Sequence, residues 1–109
     1  MTHSERRDFP RLEVQLPVTL RYAGRLIPAT TLNISCGGML LTTEGSNVTT
    51  NAPVEVIFDL SATQRDLTLR GDIVRIAAEQ VPQVGIRFTN FYAAGYQALE
   101  RYIRKAGKQ

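Results

Sequence analysis

Several residue types are scarce in this 109-residue chain, and each scarcity excludes something. There is one cysteine, Cys36, so no intramolecular disulfide can form, and that usage fits a reducing compartment. There is one histidine, His3, so the composition holds no Cys/His cluster for zinc. Tryptophan is absent, which removes the strongest stacking platform for a base. No apolar run approaches the roughly 20 residues of a membrane span. The opening MTHSERRDFPRLEV is polar and lacks the apolar stretch of a signal peptide. A soluble, cytoplasmic, single-domain protein is expected, burying roughly 60–70% of its unfolded surface.

Lysine is scarce too. Of 13 basic residues, only Lys105 and Lys108 are lysine, and the rest are arginine. Arginine carries a planar fork suited to phosphate, carboxylate and guanine. The net charge of +3 is modest and unevenly spread. Both ends are basic and the middle is slightly acidic, unlike a uniform nucleic-acid-binding surface.

What is present is alternation. Val14, Leu16, Val18, Leu20 and Tyr22 repeat every second residue, the period of a half-buried strand. Ala23 and Gly24 make a turn. Leu26 to Ile34 reads as a second strand, with Pro28 marking an edge or bulge. Met39 to Thr43 is a third. Val54, Val56, Phe58 and Leu60 give a fourth, Leu67 to Ile73 a fifth, and Val84 to Phe88 a sixth. The period then changes. Tyr92, Tyr96, Leu99, Tyr102 and Ile103 share one helix face, with Asn90 as N-cap. Short strands with frequent turns favour a sandwich or barrel, and closing a barrel removes its edges. The expectation is an all-β fold: residues 1–11 a flexible Arg-rich tail, 12–89 a barrel, 90–106 a helix covering its mouth or flank.

No catalytic constellation appears. Ser35 stands in no nucleophile elbow and has no histidine to activate it. Cys36 reads as a small residue in a tight loop. Asp59 and Asp72 read as solvated carboxylates. Neither an enzyme nor a metal or cofactor is expected. Two clusters remain. In ERRDFPR, Pro10 disfavours helix, so Arg6, Arg7 and Arg11 can converge on something outside their own segment. In NISCGG, Asn33 and Ser35 sit two apart and point the same way if a strand ends there.

Together, Arg7-x-x-x-Arg11 and then Asn33-x-Ser35-x-x-Gly38, on this strand pattern, resemble the PilZ domain family. VGIRF (Val84 to Phe88) and the helix after it are similar to that family's last core strand and terminal helix. The resemblance implies a bacterial six-stranded antiparallel barrel with a C-terminal helix, binding the second messenger cyclic di-GMP. Arg7 and Arg11 would grip guanine edges and phosphates, Asn33 and Ser35 the other guanine edge and the phosphate or sugar. Gly38 would leave room for the ligand. Arg6 implies two intercalated ligand molecules per chain. The resemblance also implies a protein partner from motility, pilus, polysaccharide or transcription machinery. The alternatives are a PilZ-type adaptor with little nucleotide binding, and a barrel for single-stranded nucleic acid.

Overall fold

The computed structural model describes residues 11–43, 48–77 and 80–107. Six strands run β1 (Pro17–Tyr22), β2 (Arg25–Ile34), β3 (Gly38–Thr43), β4 (Pro53–Phe58), β5 (Leu67–Ala77) and β6 (Gln83–Phe88), followed by helix α1 (Ala94–Gly107). They close into a barrel in the order β1-β2-β3-β6-β5-β4, and every pairing is antiparallel. The alternating apolar residues face inward. Leu20, Leu41, Val56, Leu69, Ile73, Val84 and Phe88 are almost fully buried.

Local chemistry explains the turns and edges. Ala23 and Gly24 have φ of 50° and 78°, so both central residues of the β1–β2 hairpin are left-handed. A two-residue turn of that kind matches the twist of the flanking strands. Pro28 sits where β2 pairs with β1 alone, before the β3 pairing begins at Ala29, so its missing N–H breaks no second ladder.

The structure differs from the sequence expectation at the start of β1. Val14 and Leu16 pack against the core but precede the strand. The fully buried Thr31 hydroxyl donates to the Val14 carbonyl (2.5 Å) and accepts from the Leu16 N–H (2.8 Å). Leu12 and Ile34 exchange two backbone bonds of 2.8 and 2.9 Å. The segment from Arg11 to Leu16 is thus stitched along β2 by a side chain as well as by backbone.

The helix also starts later than its spacing predicts. Asn90 Oδ1 accepts from the Tyr92 N–H (3.1 Å), capping a turn rather than the helix. Tyr92 lies before α1 and is 90% exposed, not on the buried face. Leu99 and Ile103 are buried as expected, with Tyr102 packed beside them. α1 lies tight on β5: a Cβ at Gly95 would stand 2.5 Å from the Thr68 carbonyl oxygen. Tyr96 meets Phe88 and Phe91 edge to face and donates its hydroxyl to the Cys36 carbonyl (2.8 Å). That bond ties the helix to the β2–β3 loop.

Candidate functional site

The β2–β3 loop is held from three sides. Ser35 N–H donates to the Gly38 carbonyl (2.8 Å), closing a tight turn. The Gly37 carbonyl accepts from Phe88 N–H (3.0 Å) and the Cys36 carbonyl from Tyr96. Ser35 Oγ accepts from Gly37 N–H (3.2 Å) and donates to the Gly38 carbonyl (3.3 Å). A hydroxyl has one proton and two lone pairs, so one lone pair remains. Ser35 can accept a bond from a ligand as it stands. It can donate to a phosphate only by releasing Gly38.

Beside the loop is a depression of about 270 Å³ on the barrel's outer face, spanning β2, β3, β6 and β5. It brings together Arg11, Asn33, Ser35 and Gly38, four of the six residues expected from the sequence. The other two, Arg6 and Arg7, lie outside the described residues. Arg11 reaches Asn33, its Nη1 donating to Asn33 Oδ1 at 3.4 Å. That contact leaves both amide protons of Asn33 available to a ligand acceptor.

Two β-bulges shape this face. β2 pairs with β3 through a register shift between Thr31 and Asn33, and β5 with β6 through a shift between Ile73 and Arg75. A bulge inserts one residue and reverses the alternation after it. Ile27, Ala29 and Thr31 point inward, so strict alternation would bury Asn33; Leu69, Gly71 and Ile73 point inward, so it would bury Arg75. Both polar residues are turned outward into the depression instead.

Arg75 and Arg87 line the depression and were not expected from the sequence. Arg75 carried a readable signal, since an arginine in an inward phase implies a bulge. Arg87 lies inside the VGIRF strand, and nothing local marks it. No carboxylate and no aromatic ring belongs to the described lining.

The role expected for Gly38 needs correction. A Cβ on Gly38 would stand 2.1 Å from the Ile86 carbonyl oxygen. Its missing side chain makes room for β6, so the residue serves the β3–β6 pairing before it serves any ligand. Cys36 is a buried free thiol, and burial, then Glu100, raises its pKa above the ordinary 9.0. Burial likewise raises that of Tyr96 above 10.0, with Cys36 and Glu100 adding to it. Both groups are held neutral, which suits packing rather than nucleophilic chemistry.

The family model described as PilZ domain matches residues 5–105, almost the whole chain. The chain belongs to the PilZ domain family. Solved structures share its fold. Bacillus subtilis inhibitor of motility (MotI/DgrA) aligns with a TM-score of 0.78 at 22% identity, covering 95% of this chain and 52% of that one. This PilZ domain therefore spans about half the length of that protein. The PilZ domain of CeSA from a cellulose-synthesizing bacterium gives 0.70 at 18% identity, covering 89% and 97%. The PilZ domain of Escherichia coli YcgR, solved with c-di-GMP, gives 0.69 at 14%, covering 95% and 98%. No curated protein matches the sequence. Among the described residues, no helix of this PilZ domain is long and apolar enough to cross a membrane, and no cluster of metal-ligating side chains occurs.

Proposed function

We propose that this PilZ domain is a cytoplasmic receptor for cyclic di-GMP and acts on a protein partner as an effector, not as an enzyme. One observation carries the reading. Arg11, Asn33 and Ser35, from two separate sequence clusters, meet at a single depression whose described lining has cations and no acid. Family membership and the c-di-GMP in the YcgR structure support it. The volume suits part of a cyclic dinucleotide, since pockets enclosing drug-sized ligands start near 300 Å³. The rest of the ligand would be met by Arg6 and Arg7.

The contacts have enough strength. Bonds to charged groups contribute about 1.5–3 kcal/mol each, so four or five give roughly 6–15 kcal/mol before losses. Ligand immobilisation and ordering of the chain before Arg11 offset several of these. A micromolar constant corresponds to about −8 kcal/mol, within that range. Ordering of the Arg segment by the ligand alters a surface offered to the partner, which we take to belong to motility or polysaccharide machinery. Arg6 adds a guanidinium that can stack on the base of a second ligand molecule. A single-stranded nucleic-acid role is disfavoured, because such sites stack bases on aromatic rings and the described lining offers none.

Thermal melting tests the reading. Cyclic di-GMP should raise the midpoint of the wild-type protein, while GMP and an oligonucleotide should not. Arg11→Ala should abolish that shift and melt like wild type without ligand. An unshifted wild-type midpoint with saturating cyclic di-GMP would refute the function proposed.

A further inference from the structure

Asn33, Leu40, Gly85 and Arg75 are successive Cα partners across β2, β3, β6 and β5. They form one outward row over four strands. With neighbouring strands about 4.8 Å apart, its ends are about 14 Å apart. The row has a gap where Gly85 carries no side chain. A Cβ there would have only Arg75 within 4 Å, its Cβ at 3.3 Å and its carbonyl oxygen at 3.9 Å. In the next row Gly38 partners Arg87, two residues along β6 from Gly85 and on the same face.

The arginines on this face are arranged differently from most of those elsewhere. Among the described residues, Arg21 and Arg70 pair with Glu55, Arg65 with Asp59, and Arg104 with Glu100. Arg75 and Arg87 are in no such pair. Asp72 is the Cα partner of Arg87 on β5, yet makes no ion pair with it and lines a different depression beside Arg21, Glu55 and Arg70. The bulge at Val74 turns Arg75 outward and sets Val74, 42% exposed, as an apolar lip on the depression. A cationic pair, a bare backbone floor and an apolar lip suit a flat base carrying a phosphate. An arginine fork can bond phosphate, or the O6 and N7 of guanine, through two parallel N–H groups.

We propose that Gly85 is the floor of the ligand site and that Arg75 and Arg87 form a second grip on it, opposite Arg11 and Asn33. This rests on the cyclic dinucleotide reading and adds to it the far half of the clamp. One base lies over Gly85 against Val74, and the two guanidinium groups hold its edge and the adjoining phosphate.

Calorimetric titration of the full chain with cyclic di-GMP tests this. Arg75→Ala and Arg87→Ala should each weaken binding about tenfold or more, the loss expected for one good bidentate contact. Gly85→Val should weaken it by at least as much by filling the floor. Arg101→Ala removes an exposed cation from α1 and controls for net charge; it should bind like wild type. The second grip is overturned if wild type binds and Arg11→Ala does not, while Arg75→Ala and Arg87→Ala stay within about twofold of wild type. No binding by wild-type protein overturns the cyclic di-GMP reading and the grip with it. Should Gly85→Val fail to fold, the two exposed arginine changes decide the matter.

Discussion

Two faces of this barrel use arginine in opposite ways. On the β1–β4–β5 face, Arg21 and Arg70 converge on Glu55 at 3.0 and 3.3 Å. On the β2–β3–β6–β5 face, Arg11, Arg75 and Arg87 surround a depression with no acid in its described lining. The first set has its counter-charge built in. The second has its forks unclaimed by carboxylates and available to a phosphate. The lesson is that the number of arginines on a surface says little. What marks a site is a group of them lining one depression without an ion pair.

The strongest way to break the contrast is to give the second face its own acid. Leu40→Glu would set a carboxylate midway along the row from Asn33 to Arg75. Cyclic di-GMP binding should fall by about 100-fold or more, which is about 2.7 kcal/mol, while the fold should hold because Leu40 is only half-buried. Titration calorimetry measures the first and thermal melting the second. Unchanged affinity would mean that the three arginines do not act on the ligand.

Gly38→Ala should separate scaffold from site. Its Cβ would collide with a carbonyl oxygen of β6 rather than with the ligand. The expected result is a loss of about 2–4 kcal/mol of stability in chemical denaturation without ligand, as for other severe backbone clashes. If the variant melted like wild type and lost only binding, Gly38 would belong to the site after all. The smallest effect is expected on the paired face. Glu55→Gln frees Arg21 and Arg70, yet it should change stability by less than about 1 kcal/mol, as exposed ion pairs contribute little. It should create no new ligand site, because Asp72 still lines that depression beside the freed groups. A second binding event in calorimetry would show that loose positive charge is sufficient.

Much of the barrel was legible because each strand is half-buried and alternates. Asn33, Ser35 and Gly38 were legible because polar and glycine residues crowd a short connection. Arg75 was legible only as an arginine in an inward phase, and Arg87 was not, because their place depends on which residues of β5 and β6 face each other. That register is fixed by a bulge at Val74, a non-local event. Tyr92 misled for the opposite reason. Its spacing fits the helix face, but the Asn90 turn keeps it out of the helix. Val14 and Leu16 continued the alternation past the point where Thr31 takes over their backbone bonds.

Gly38 and Gly85 look alike in the sequence but would have different histories. Without a side chain, Gly38 lets two strands meet; Gly85 leaves a surface bare. On the proposed cyclic di-GMP reading, a lineage that stopped binding the nucleotide but kept the barrel should retain the first and could replace the second, where a new Cβ needs only a small shift of Arg75. The residue at position 85, more than the one at position 38, would then record whether a descendant of this domain keeps the proposed nucleotide site.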